Sequence, residues 1–194
     1  MTEPHLLTSR GKIFPLLNPK VEDIDLLSAS RALAQINRYN GHCFRPYSVA
    51  EHCSRLTYAA QEDGHSHRML LLILLHDFHE SITGDFPSPI KTVLRLDDNF
   101  ALDSLAWKLD MLLYEKLGID PPNKDEAEII KEYDYRILLN ERDALLPKSP
   151  VPWFCEHLEP LEGVTFEEFP WYVWSNCFWG SYCYLSDQLN LSRD

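Results

Sequence analysis

Apolar residues recur along this chain at intervals of three and four, the spacing that lines one face of an α-helix. Between Asp23 and Tyr39, the positions Ile24, Leu27, Leu33, Ala34 and Ile36 fall on roughly one side and predict an amphipathic helix. Ser48 with Glu51 three residues on reads as a capping box. It opens a helix to about Glu62 with Val49, Cys53, Leu56 and Ala60 as its apolar stripe. His67–Glu80 is apolar nearly all round, the pattern of a central buried helix. Asn99–Leu117 reads as the next helix, ended by Gly118 and the Pro121–Pro122 pair. Asn123 caps a further helix to about Leu146, stopped by Pro147, and the aromatic-rich stretch Pro170–Leu189 also reads as helical.

Punctuation agrees with these spans. Of 13 prolines, most sit at the joins between periodic segments, and Gly is scarce at 7. Strand signals are weak, with no sustained alternation of β-branched residues. The expected fold class is therefore all-α, a compact single-domain helical bundle over residues 1–194, with its core over about 21–146 and an aromatic C-terminal helix over about 170–190. The rings Trp171, Tyr172, Trp174, Phe178, Trp179, Tyr182 and Tyr184 could offer a base-stacking surface. Their helical spacing reads instead as core or subunit interface, and a homo-oligomer is expected on that ground.

Composition narrows the function classes. At 194 residues the chain is long enough for one domain with a proper core, and 45% hydrophobic with 25% charged residues is ordinary for a globular protein. No apolar run reaches the ~20 residues of a membrane span, so no membrane partner is expected. Met1–Arg10 lacks a basic start followed by an apolar stretch, so no secretion signal is expected. Five cysteines, Cys43, Cys53, Cys155, Cys177 and Cys183, form an odd set without a CxxC pair; this reads as reduced thiols and a cytoplasmic placement. A formal charge of −12 makes duplex nucleic acid a poor partner, because backbone phosphates would be repelled over most of the surface. A small phosphorylated ligand stays compatible, since a metal and a few local cations can reverse the field in one pocket.

The sharpest chemistry is Leu75-His76-Asp77-Phe78-His79-Glu80. A His-Asp pair at the end of so apolar a helix is costly to bury unless something compensates it, and a divalent cation would. Imidazole and carboxylate together suit Mn, Fe, Co, Ni or Zn. His76 and Glu80 are four apart, which on a continuous helix puts them on one face and into one cavity. Further ligands are offered by His52, in the middle of the helix that Ser48 caps, and by Asp134 in the run Glu132-Tyr133-Asp134-Tyr135-Arg136. Taken singly, each has a plain alternative: a buried His is more often a hydrogen-bonded core residue, and a helical Asp more often a solvent-facing charge. The order His, His-Asp, Asp, each on its own expected helix, is harder to obtain by chance.

That order resembles the HD-domain metal-dependent phosphohydrolases. Three further segments are similar to the deoxynucleotide-hydrolysing branch of that family, which holds bacterial 5′-deoxynucleotidases and phage dATP triphosphohydrolases: Tyr47–His52, Leu75–Glu80 and Thr83–Lys91. Ser9–Pro19, Arg38–His42 and Arg136–Arg142 look more like the phage-type members and their bacterial relatives, so the resemblance runs over roughly residues 8–146. It implies a single divalent ion held by His52, His76, Asp77 and Asp134. It implies Glu80 as the acid/base carboxylate and Asp85 as a second acid that assists the leaving group or orients substrate. Arg38 and Lys91 would face phosphate, and Tyr39 would pack on the nucleoside. The loop Asp85–Lys91, stiffened by Pro87 and Pro89, would form a wall against which a base is read by shape. His79 stands where a small residue is common and receives no role. The implied activity is hydrolysis of a deoxynucleotide, dATP to deoxyadenosine and triphosphate, in the host cytoplasm if the chain is phage-encoded. The alternatives are a 5′-deoxynucleotidase acting on deoxynucleoside monophosphates and an inactive HD protein that only binds nucleotides.

Overall fold

A computed structural model describes residues 3–96 and 100–192. The expected all-α class holds: helices carry the fold, and the one sheet among the described residues is a small hairpin. In chain order these are β1 (His5–Leu7), β2 (Ile13–Pro15), α1 (Leu26–Leu33), α2 (Val49–Glu62), α3 (His67–Leu75), α4 (Glu80–Thr83), α5 (Ser88–Leu96), α6 (Ala101–Leu117), α7 (Lys124–Leu145) and α8 (Trp171–Gln188). No helix among the described residues is long and apolar enough to cross a membrane. The five cysteines are free thiols.

Helix α3 is the axis of the core. Ser66 caps it by accepting the Met69 N–H, and Met69 through Leu75 are all buried. Helices α2 and α8 pack on it and on each other, and α1 lies against α8. The aromatic helix is thus mainly core: Trp174, Phe178, Tyr182 and Leu185 repeat at intervals of three and four and are buried, while Trp171 in its first turn and Tyr172 and Tyr184 off that face are exposed.

Several expected elements differ in detail. The helix expected over Asp23–Tyr39 is shorter at both ends. Asp25 is its cap, accepting the Ser28 N–H, and the chain leaves helical geometry after Ala34. It then runs extended to pair Asn37 with Ser48, and turns sharply through Tyr39, Asn40 and Gly41, all at positive φ of 57°, 50° and 75°. Only half of the expected capping box forms on α2. Ser48 Oγ accepts the Glu51 N–H, but the Glu51 carboxylate is drawn to Arg45 (2.7 Å) and Arg55 (2.8 Å), two guanidiniums that outcompete one backbone N–H. On α7 the box is complete, with Asn123 and Glu126 bonded reciprocally at 3.0 and 2.9 Å. Asn99, read as the start of α6, lies outside the described residues; Gly118 closes that helix in left-handed conformation, as its position suggests.

Two differences matter for the site. The helix expected over His67–Glu80 is not continuous: α3 ends at Leu75, and residues 76–79 form a tighter turn in which the N–H groups of Phe78, Glu80 and Ser81 bond three residues back. The Asp85–Lys91 loop is also shorter than expected, because Ser88 already begins α5 and Pro89 sits in its first turn, where proline is tolerated. The unexpected hairpin buries Phe14 in the common core.

Candidate functional site

The tightened turn after α3 decides which side chains meet. In such a turn residues three apart eclipse, whereas residues four apart no longer do. Asp77 and Glu80 accordingly both line a cleft of about 720 Å³. His76 lines an adjoining recess of about 500 Å³ instead. The expectation that His76 and Glu80 share one face and one cavity is therefore corrected.

His76 nevertheless turns its Nε2 toward the cluster. Its Nδ1 bonds the Ile73 carbonyl at 2.8 Å, which leaves Nε2 3.1 Å from Asp77 Oδ2 and 3.4 Å from His52 Nε2. His52, fully buried on α2, is fixed the same way: its Nδ1 lies 2.6 Å from Glu141 Oε1, so Nε2 points at His76, at Asp77 (3.8 Å) and at Asp134 Oδ1 (3.3 Å). The donor atoms of His52, His76 and Asp77 lie within 4.8 Å of one another, a cluster that could hold a metal ion. Asp134 joins it through His52, from the face of α7 that also lines both recesses. With both Nδ1 atoms engaged as donors, neutral imidazoles turn two nitrogen lone pairs toward the Asp77 carboxylate, with Asp134 beside His52, a donor set that suits a divalent cation.

The titration behaviour of the cluster shows the same convergence. Burial disfavours protonation of His76, yet Asp77 outweighs it and holds the imidazole pKa well above its ordinary value. His52 is raised too: burial and Arg38 oppose its charge, while Glu141 and Asp134 favour it more. Burial would raise Asp77, but His76, His52 and Arg38 pull it well below the usual carboxylate range. Glu80, 2% exposed, is pushed up to about 9 by burial and by the carboxylates of Asp77 and Asp85. Its Oε1 lies 3.4 Å from Lys91 Nζ and its Oε2 has no hydrogen-bond partner. Asp85 is also raised, chiefly by burial.

The remaining expected residues line the same cleft. Arg38, Tyr39, Asp85, Pro89 and Lys91 all face it, together with the Phe86–Pro87 turn. Arg38 NH1 is 3.4 Å from Asp77 Oδ2 and keeps its charge, for although burial opposes it, Glu141, Tyr39 and Asp77 raise its pKa. His79, left without a role above, faces Asp110 on α6 at 3.1 Å; its donor atoms also fall within 4.8 Å of Asp77 and Glu80.

Sequence reading missed Glu141. This fully buried carboxylate takes Tyr47 Oη–H at 2.9 Å, the hydroxyl of Tyr39 and the imidazole of His52, with Arg38 Nε 3.5 Å away. A signal existed: Glu141 follows Asp134 by seven residues, two turns along one face of α7. It also missed Pro152, Trp153 and Phe154, which complete the cleft wall from the irregular segment after α7. No periodicity or motif marks them.

No family model matches the chain. It is similar to an uncharacterized protein of Rhodobacter capsulatus, 34% identical over 88 residues that cover 43% of this chain and 45% of that protein. It is also similar to the uncharacterized protein YfdR of Escherichia coli, 31% identical over 117 residues that cover 59% of this chain and 58% of the other. The chain thus spans about half the length of the curated relatives it matches.

Two outcomes follow for metal binding. Glu141→Gln removes the charge behind His52 while keeping its shape, and should weaken Mn²⁺ binding about 10- to 100-fold; calorimetric titration giving the wild-type affinity would show that Glu141 does not orient a ligand. Both imidazoles have raised pKa values in the ion-free cluster and can ligate only when Nε2 is deprotonated. Metal binding should therefore release protons, and affinity should climb as the pH rises above the ordinary imidazole range. Titrations in buffers of different ionisation enthalpy read the released protons directly; an affinity flat over that rise would count against imidazole ligands.

Proposed function

We propose that this chain is a metal-dependent phosphohydrolase of the HD type that converts dATP and water to deoxyadenosine and triphosphate. The observation that carries the reading is the convergence of the His52, His76 and Asp77 donor atoms within 4.8 Å, beside a cleft that also presents Glu80, Asp85, Arg38 and Lys91. His52, His76, Asp77 and Asp134 would hold one divalent ion of the Mn, Fe, Co, Ni or Zn type. Such an ion supplies Lewis acidity and an acidified water.

The chain's own residues do the rest. Arg38 and Lys91 lie on the cleft where non-bridging phosphate oxygens carry charge, and phosphoryl transfer depends mostly on positioning and electrostatics. Glu80, whose pKa of about 9 keeps it protonated while the cluster holds no cation, would ionise beside a bound cation, and its buried, unpartnered Oε2 would then accept the proton of the attacking water. As the water oxygen adds to the α-phosphorus, the P–O5′ bond breaks. Asp85, whose raised pKa favours its acid form, gives a proton to O5′. The adjoining recess supports a triphosphate over a monophosphate, because Lys91, Arg95 and Lys131 line it and it continues from the cluster past Asp134. One observation favours the second reading, a 5′-deoxynucleotidase: Arg95 is already bound to Asp103 at 2.6 Å, which reduces the positive charge open to a polyphosphate tail.

The deciding experiment incubates Mn²⁺-loaded protein with a panel of deoxynucleoside triphosphates and monophosphates and separates the products by ion exchange. Deoxyadenosine with triphosphate is the expected result. Hydrolysis of dAMP with dATP surviving would replace the reading by the nucleotidase, and turnover of nothing would leave a nucleotide-binding protein. In the same assay Glu80→Ala should keep its metal and lose about 10²- to 10⁴-fold in kcat; activity within about threefold of wild type would remove Glu80 from the reaction.

A further inference from the structure

The run Arg136–Arg142 belongs to the segments that resemble nucleotide hydrolases; in it Glu141 holds His52 and Leu138 lines the cleft. The rest fastens the segment that follows α7. Asn140 Nδ2 donates to the Leu161 carbonyl and Asn140 Oδ1 accepts the Leu161 N–H, each at 2.9 Å. Arg136 Nε donates to the Glu159 carbonyl at 3.0 Å, and Arg142 meets Glu156 at 2.9 Å. Cys155 and Leu161 are buried against this helix face. An irregular stretch tied down at so many points is a fixed wall, not a drifting tail, and what it holds over the cleft is Trp153.

Trp153 stands beside Tyr39, ring centroids 6.4 Å apart and planes tilted 46°. Tyr39 is itself immobilised: its hydroxyl bonds Glu141, its backbone is held at φ 57°, and the Arg38 guanidinium lies 5.7 Å from its ring centroid. Both rings line the large cleft and neither lines the adjoining recess. Tyr135 and Phe154, packed edge to face at 4.8 Å, line both spaces, as do Lys91 and Asp134. Tyr39 and Trp153 belong to the cleft alone, whereas Arg95 and Lys131 belong to the recess alone.

We propose that Trp153 is a specificity residue, forming with Tyr39 the two-ring surface on which the nucleobase stacks, so that the wall after α7 determines which base is accepted. This rests on the reading of the cleft as a deoxynucleotide site. Every base has a π-face, and loss of one stacking ring costs about 5- to 150-fold in affinity. With the two planes tilted 46°, a flat base that stacks on Trp153 meets Tyr39 by its edge, and both contacts are favourable between aromatic rings.

The test uses the full-length chain with Mn²⁺ and reads binding rather than turnover. Deoxyadenosine and inorganic triphosphate are titrated separately by calorimetry into wild type, Trp153→Ala and Trp153→Phe. Trp153→Ala should lose about 5- to 150-fold for deoxyadenosine and keep its triphosphate affinity. Trp153→Phe should recover most of the loss, and quenching of tryptophan fluorescence by deoxyadenosine should be smaller in Trp153→Phe than in wild type. Equal deoxyadenosine affinity in all three proteins, no deoxyadenosine binding by wild type, or a matching fall in triphosphate affinity would each overturn the proposal. Because no step needs hydrolysis, the stacking surface can stand in a chain that hydrolyses nothing, and it can fall in one that hydrolyses dATP.

Discussion

Burying a lone carboxylate costs several kcal/mol, and the cost is offset only where geometry supplies enough donors. Glu141 is fully buried, and its donors come from three different stretches of chain: Arg38 and Tyr39 from the sharp turn after α1, Tyr47 from the extended segment before α2, and His52 from α2 itself. Burial alone would raise its pKa, but Arg38 and His52 outweigh it and hold the group at about 2, so the charge persists at neutral pH. One anion on α7 therefore fixes the imidazole that faces His76 and Asp77 together with the guanidinium and phenol that face the cleft. Moving any of these elements leaves a buried charge short of partners. The turn through Tyr39, Asn40 and Gly41, with three successive positive φ angles, persists because that network determines it.

The cleft is acidic, and on the proposed reading it would have to receive phosphate. Asp77, Glu80, Asp85 and Asp134 line it against Arg38 and Lys91, within a chain of net charge −12. Burial, and after it the neighbouring carboxylates, raise the pKa values of Glu80 and Asp85, because several carboxylates cannot all be ionised cheaply in a buried cluster. A divalent ion among His52, His76, Asp77 and Asp134 would change the sign of that field. It would make the same cleft attractive to an anion, so metal and phosphate would be mutually dependent occupants.

What could be read from the sequence follows the range of the forces involved. Helix periodicity and caps are local, so α2, α6, α7 and α8 fall close to their expected spans, and Ser66, Asp25 and Asn123 satisfy N–H groups only three residues away. The site residues were legible as an order along the chain, and the structure brings His52, His76 and Asp77 together. Their exact facing was not legible, because the break after Leu75 is a choice between four-residue and three-residue hydrogen bonds that apolar periodicity does not register. Glu51 illustrates the same limit. Its local role in a capping box lost to Arg45 and Arg55, contacts that depend on side-chain packing. The hairpin around Phe14 is held by tertiary burial, with three residues per strand leaving too little pattern to find.

On the proposed reading, chemistry and selectivity would occupy different kinds of structure. The groups that could hold a metal sit on α2 and on the turn after α3, with Asp134 of α7 beside them, on elements pinned by the core and by Glu141, where a shift of one residue would misplace a donor atom. The wall opposite is irregular chain whose position comes from side-chain ties to Arg136, Asn140 and Arg142 on the outer faces of α7. Replacing Trp153 or Phe154 alters the shape of the cleft without touching those ties or the buried carboxylate. If the cleft holds a nucleobase as proposed, a rigid frame with a separately anchored aromatic wall would let the identity of the bound ring change while the cluster around His52, His76 and Asp77 stays as it is.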